Sequence, residues 1–316
     1  MTRPSWYGPF WSRPFWSRTF WSRSGRFRYA PAVLLTLAFM LACRQNTEAQ
    51  FWTSSTGPAH TRETVMIRGH AQSLHLYGTR GNPPAIVSSG DGGWMHLGPH
   101  VAEVLANHGF FVVGFDVKDY LEAFTTSKST LRAEDEPADY KVLADFAARG
   151  STRKPILIGV SEGAGLSVLA ATEPQTRDSI AGVLGLGLPD VNELGWRWRD
   201  ALIYITHGTP NEPTFSTAAI VKRVGPTPLG AIHSTRDEFV ALTEVQRIFD
   251  AAVEPKRLWV IDAADHRFSN NLPEFDRRLL EATDWIAQQK QQLSQTAQPQ
   301  QPSQPRPQEQ RQQKPR

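Results

Sequence analysis

The chain has 316 residues, 34 Lys and Arg against 31 Asp and Glu, a formal charge of +3 and 40% apolar side chains, which fits one globular domain with appendages rather than a fibrous or disulfide-built protein. The positive charge sits in the ends: residues 1–50 hold 7 basic and 1 acidic residue, residues 291–316 hold 4 and 1, and the body between carries 23 against 29, a net of −6. A body of that sign is a poor phosphate-backbone binder, so nucleic acid is set aside as a partner. Cys43 is the only cysteine, which excludes an intramolecular disulfide and a thiolate metal cluster, and no metal or organic cofactor is implied.

Three pentads open the chain in tandem, Pro9-Phe10-Trp11-Ser12-Arg13, Pro14-Phe15-Trp16-Ser17-Arg18 and Thr19-Phe20-Trp21-Ser22-Arg23. They are too few and too short for a solenoid. Two readings stand: a membrane-touching leader, since aromatic and basic side chains favour an interface, or a repeat ahead of the true start. Arginines up to Arg28 then precede an apolar run from Ala30 to Ala42, the layout of a secretory signal. The run falls short of the about 20 apolar residues that a spanning helix needs. Its end, Met40-Leu41-Ala42-Cys43, resembles a bacterial lipobox, which makes Cys43 the expected lipidation site of a membrane-anchored lipoprotein. Cleavage after Ala49 would instead release a soluble periplasmic protein. Residues 1–50 are thus read as the export segment, 51–62 as a linker, 63–290 as the folded domain, and the Gln/Pro-rich stretch 291–316 as a disordered tail that cannot bury enough surface to order itself.

Within the domain, Thr64 to Arg68 and Leu74 to Tyr77 read as antiparallel edge strands. Ala85 to Val87, Phe110 to Phe115, Ile156 to Ile158, Gly182 to Leu186, Pro228 to Ile232 and Arg257 to Ile261 are short, continuous and apolar, as strands covered on both faces are. Helical periodicity falls between them. Val101, Val104 and Leu105 share a face that ends at Gly109; Pro137 opens a helix through Tyr140 to Arg149; Phe275, Leu279, Thr283 and Ile286 share a face in the last one. The expectation is an α/β domain, a mainly parallel sheet with helices on both faces.

Gly159-Val160-Ser161-Glu162-Gly163 lies between the strand ending at Ile158 and a helical pattern starting at Ala164, the context of a nucleophile elbow in an α/β-hydrolase fold. That turn is tight enough to require glycine on both sides of the serine. The orienting acid and the base are expected after later strands, in that order. His233-Ser234-Thr235-Arg236-Asp237 follows one, and Asp262-Ala263-Ala264-Asp265-His266 follows the next. Ser161 as nucleophile, His266 as general base and Asp237 as the acid make the expected triad, with Glu238 and Asp265 as rival acids and His233 as a rival base better explained by packing. Ser88-Ser89-Gly90-Asp91-Gly92-Gly93-Trp94 follows the strand Ala85 to Val87, where the second oxyanion donor arises. The amides of Glu162 and Asp91 are the expected donors, and a plain glycine turn is the alternative.

Ser89 to Trp94, Val112-Val113-Gly114-Phe115-Asp116 with Tyr120, the elbow, and Asp265-His266-Arg267-Phe268-Ser269 together resemble the VirJ/AcvB-type bacterial virulence hydrolases over about Ile86 to Ile286. The resemblance implies a periplasmic α/β-hydrolase and, as substrate class, aminoacylated phosphatidylglycerol, lysyl-phosphatidylglycerol in particular. Two places depart from the pattern: Val-Ser-Glu-Gly at the elbow instead of Tyr-Ser-Phe-Gly, and Leu121-Glu122 instead of an aromatic pair. Gly92, Trp94, Trp196, Arg197 and Arg199 are the expected substrate contacts, with Gly195-Trp196-Arg197-Trp198-Arg199-Asp200 read either as a lid element or as a half-buried strand. Other readings are a generic carboxylesterase or lactone hydrolase, and a non-catalytic exported binding protein of the same fold.

If Cys43 carries the anchor, Cys43→Ser is expected to move the protein from the membrane to the soluble fraction or to block processing. Fractionation of cells expressing both forms checks this; a variant that stays processed and membrane-bound overturns the lipoprotein assignment.

Overall fold

The computed structural model describes residues 60–197 and 212–296. The chain divides into a unit of residues 1–55, which lies outside the described residues, and a unit Thr56–Arg316. The pentads, the apolar run, Cys43, Trp198 and Arg199 therefore fall outside the description, as does the chain beyond Thr296.

Among the described residues ten strands run in chain order: β1 Thr61–Ile67, β2 His70–Tyr77, β3 Pro84–Ser88, β4 Phe111–Phe115, β5 Ile156–Val160, β6 Gly182–Leu186, β7 Val191–Glu193, β8 Thr214–Ser216, β9 Leu229–Ser234 and β10 Lys256–Ile261. Eight form one sheet in the order β1-β2-β4-β3-β5-β6-β9-β10. The pairs β1/β2 and β2/β4 are antiparallel. Every pair from β4 to β10 is parallel.

Alternation along the parallel strands divides the core in two, because successive side chains point to opposite faces. Ile86, Val113, Leu157, Val183 and Ala231 face one side, where they meet Tyr140 and Leu143 of helix α3 (Glu136–Ala147), Leu166 and Leu169 of α4 (Glu162–Ala170), and Val245 and Ile248 of α7 (Leu242–Ala251). Ala85, Val87, Val112, Ile158, Leu184 and Ile232 face the other, under α1 (Leu97–Asn107) and α8 (Leu272–Thr296). Among the described residues there are also the shorter helices α2 (Val117–Phe124), α5 (Pro174–Ser179) and α6 (Thr217–Ile220). Helices on both faces explain why these strands read as unbroken apolar runs.

The sheet expected from the sequence is present, and the chain has the α/β-hydrolase architecture. Two features differ from expectation. An antiparallel ribbon pairs β7 with β8, strands of three residues each that are too short to show a period. The last helix continues past Gln291 to Thr296, since Gln and Leu are good helix formers and the segment prolongs a helix already anchored by Phe275, Leu279 and Ile286.

Glu136, in the first turn of α3, is wholly buried, and neither carboxyl oxygen has a hydrogen-bond partner. Burial, and then the nearby Asp139, push its pKa well above the ordinary carboxylate range. A carboxyl that keeps its proton in the fold and loses it in the unfolded chain weakens stability as pH climbs from the unfolded pKa toward the folded one. Glu136→Gln is therefore expected to match the parent near pH 4 and to exceed it progressively above that, by at most about 1.4 kcal/mol per pH unit. Urea denaturation at pH 4, 6 and 8 checks this; a difference independent of pH overturns the assignment.

Candidate active site

Strands β3 and β5 lie side by side with Ser88 opposite Gly159, so the loops leaving their C-terminal ends meet above the sheet. Ser161 occupies the turn from β5 into α4 at φ 50 and ψ −116, a conformation that costs a non-glycine residue on the order of 1–3 kcal/mol. Its amide donates to the carbonyl of Leu186 at 2.9 Å, tying the turn to the end of β6. The flanking glycines are required by space. A Cβ on Gly159 would lie 2.1 Å from the carbonyl oxygen of Gly163, and one on Gly163 would lie 2.3 Å from that of Ser89. α4 starts at Glu162, whose backbone N–H belongs to the first turn, where helices have no internal acceptor to offer.

The histidine and the acid arrive from two neighbouring parallel strands. Asp237 lies past the end of β9 and His266 past the end of β10. His266 Nδ1 meets Asp237 Oδ2 at 2.6 Å. Asp237 Oδ1 accepts the amides of Phe239 at 2.9 Å and Val240 at 2.8 Å, and its side chain is 1% exposed. Burial opposes ionisation of Asp237, but the hydrogen bond and charge of His266, with those two amides, outweigh it and hold the carboxyl below its ordinary range. His266 Nε2 is buried and without a hydrogen-bond partner. It shares a cleft with Ser161 but is not hydrogen-bonded to it. In enzymes such contacts often tighten only once substrate is bound.

The rival groups have other partners. Glu238 Oε2 accepts the backbone N–H of His266 at 2.8 Å. Asp265 caps its own turn, accepting the amides of Arg267 and Ser269 at 3.0 Å. His233 is fully buried in β9, with Nε2 3.1 Å from the carbonyl of Val240.

The glycine loop abuts the elbow: a Cβ on Gly90 would lie 3.5 Å from that of Ser161. Ser89 Oγ accepts the amide of Val117 and donates to the carbonyl of Gly90, both at 3.0 Å. The amide of Gly93 donates to the same carbonyl at 3.0 Å. Because the peptide unit is planar and trans, fixing that carbonyl fixes the Asp91 N–H on the opposite side.

The cleft has a volume of 410 Å³ and contains Ser161, Glu162, His266, Asp91 and Gly92 in its lining. Glu162 is buried, with Oε1 unpartnered, and burial followed by the charges of Asp91 and Glu193 raises its pKa well above the ordinary range. It does not face solvent. Met95, Val191 and Phe239 are large apolar side chains 52%, 56% and 47% exposed, and all three border this cleft.

Three of the expected substrate contacts, Trp94, Trp196 and Arg197, are not in the lining of this cleft. Trp94 turns away from the cleft: its ring fills the space over Gly114, where a Cβ would lie 2.2 Å away, and stacks on His75 at 4.8 Å. Trp196 packs against the core, with Lys118 Nζ 4.2 Å from its ring centroid. Arg197 pairs with Glu212 and donates to the carbonyl of Thr126 at 2.7 Å, which directs its guanidinium to those groups. Arg199 lies outside the described residues.

Sequence reasoning missed several residues. Gly187, at φ +61, lies beneath the imidazole, where a Cβ would come within 2.3 Å of His266 Cε1. His96 lines the cleft at φ 54 and ψ −113, a strained conformation close to that of Ser161. Glu193 and Arg267 also line it. Gly187 and Glu193 carried no local signal, because the β6 exit and the β7/β8 ribbon bring them in from outside the motifs.

Residues 83–223 match the model of the bacterial virulence protein (VirJ) family, a segment that contains the glycine loop and the elbow but ends before Asp237 and His266. No curated protein matches the sequence. Among solved structures, a membrane phospholipase A described as a bacterial virulence factor superposes with a TM-score of 0.53 at 13% identity, covering 83% of this chain and 99% of its own. A putative dienelactone hydrolase from Klebsiella pneumoniae gives 0.53 at 16% identity over 73% and 98%, and an α/β-hydrolase from a Penicillium species 0.53 at 12% over 71% and 97%. At these identities the likeness is one of fold. Over residues 83–223 the chain is thus similar to the VirJ family, and its fold is that of the α/β-hydrolases.

Proposed function

We propose that the protein is a serine hydrolase of carboxyl esters. One observation carries the reading: a serine at positive φ shares a cleft with a buried histidine whose Nδ1 is bound to a buried carboxylate and whose Nε2 is unsatisfied. Ser161 Oγ attacks the ester carbonyl as His266 Nε2 takes its proton, and Asp237 holds the tautomer and stabilises the imidazolium. The amides of Glu162 and Asp91 receive the oxyanion. His266 then protonates the leaving alcohol, and water repeats the sequence to release the acid.

Within that class, the proposed substrate is an aminoacyl ester of phosphatidylglycerol such as the lysyl ester. Asp91, Glu162, Glu193 and Glu238 are among the residues lining the cleft, an acidic set suited to an ammonium group. A cation arriving there would favour ionisation of Glu162, whose proton is retained by burial and by like-charged neighbours in the empty cleft. Met95, Val191 and Phe239 offer an apolar mouth to a lipid, and Arg267 replaces Arg197 as the cation for its phosphate.

A fluorophosphonate probe is expected to label Ser161, and Ser161→Ala to abolish labelling and lower ester turnover on the order of a millionfold. Asp237→Asn is expected to cost roughly four orders of magnitude, and Asp265→Asn or Glu238→Gln far less. Unchanged turnover in Ser161→Ala overturns the mechanism. Lysine release from lysyl-phosphatidylglycerol, followed by mass spectrometry beside cleavage of a neutral short-chain ester, tests the substrate; neutral-ester cleavage without lysine release overturns the substrate and leaves the mechanism standing.

A further inference from the structure

A second cavity, of 630 Å³, opens at the other end of the sheet, where β3 and β5 begin and β6 is about to, against the C-terminal half of α8. Its apolar surface comes from Pro83, Pro84, Phe110 and Ala181, and its cations are Arg153, Lys154 and Lys290. Asp284 is the acid that also lines it.

None of the three cations is in an ion pair among the described residues. Lys154 Nζ donates to the carbonyl of Asp178 at 2.5 Å. Burial first, then the charge of Lys154, with Arg177 adding and Asp178 opposing, lowers the pKa of Lys290, as expected where like charges crowd a half-buried ammonium. Arg177 itself is occupied with the carbonyls of Arg223 and Gly225. The rest of the chain is a poor source of neutralising charge: residues 1–59, 198–211 and 297–316 together hold 12 basic residues and 3 acidic ones. In a body whose net charge is negative, such a group beside an apolar floor has the make-up of a ligand site.

We propose that this cavity binds an anionic amphiphile, its phosphate or carboxylate held by Lys154 and Lys290 and its apolar body lying on Pro83, Pro84 and Phe110. The site is separate from the serine cleft and does not depend on the reading of that cleft. An anion there would pair with the two ammonium groups and offset the repulsion between them, and the apolar floor would add burial that a bare ion cannot supply.

Calorimetric titration of the full chain with dihexanoyl-phosphatidic acid, dihexanoyl-phosphatidylcholine and inorganic phosphate tests this. The phosphatidic acid is expected to bind saturably and roughly tenfold or more tighter than either of the others. The double variant Lys154→Gln/Lys290→Gln is expected to weaken that binding by a similar factor while its thermal midpoint without ligand stays at the parent value. The same titration of Asp284→Asn, which removes the lining acid, is expected to tighten it. Absence of saturable binding, equal affinity for inorganic phosphate, or binding that the double variant leaves intact overturns the proposal.

Discussion

The contact on which the site depends is the parallel pairing of β3 with β5 in the register that sets Ser88 opposite Gly159. β4 lies on the far side of β3, so the chain leaves β3 for β4 and returns to pair β5 on the opposite edge. A crevice forms at such a reversal, at the C-terminal ends of the strands. There the glycine loop and the elbow approach so closely that Gly163 has no room for a Cβ against the carbonyls of Ser88 and Ser89. The strained backbone of Ser161 persists because β5, β6, α4 and this loop all hold it, through buried strand pairing and the bond from its amide to Leu186.

A second layer of positioning comes from polar groups inside the fold. Ser89 ties the glycine loop to the start of α2 through the amide of Val117, and Tyr140 of α3 donates to Ser88 at 3.0 Å. Asn192 from β7 donates to Thr217 at 2.8 Å and occupies the space over Gly165, so the ribbon is fitted against α4. These bonds run from α2, α3 and α6 to the base of the glycine loop and to the β7/β8 ribbon. They link the packing of the domain to the geometry of the loop beside Ser161.

Charge is distributed with the same polarity as the sheet. Acidic groups gather at the C-terminal ends of the strands, around Asp91, Glu162, Glu193 and Glu238, and basic groups at the other end, around Arg153, Lys154 and Lys290. Among the described residues no helix is long and apolar enough to cross a membrane. The linings of the two cavities thus differ in charge, with Arg267 in the first and Asp284 in the second as groups of the opposite sign.

By itself the sequence determined the parallel sheet and the strand–glycine–serine–glycine–helix turn, and it placed Asp237 and His266 after successive strands, while the structure singled out Asp237 from Glu238 and Asp265 as the partner of the imidazole. These are local or ordinal properties: continuous apolar runs mark strands buried on both faces, glycines flank a turn that excludes side chains, and the acid and the base follow successive strands. Only the tertiary structure decided which way side chains turn and what distant segments bring. Trp94 sits inside the loop expected to touch substrate, yet Gly114 on β4 leaves a hollow that its ring fills, and a residue 20 positions away is invisible to local pattern. Arg197 found Glu212 rather than the cleft. Gly187 and Glu193 reach the site because β6 pairs with β5 and β7 packs on α4, contacts set by the whole sheet and by no motif of their own. Burial likewise raised the pKa of Glu162 and Glu136 well above the ordinary carboxylate range, since the cost of desolvating a carboxylate depends on what the finished fold places around it.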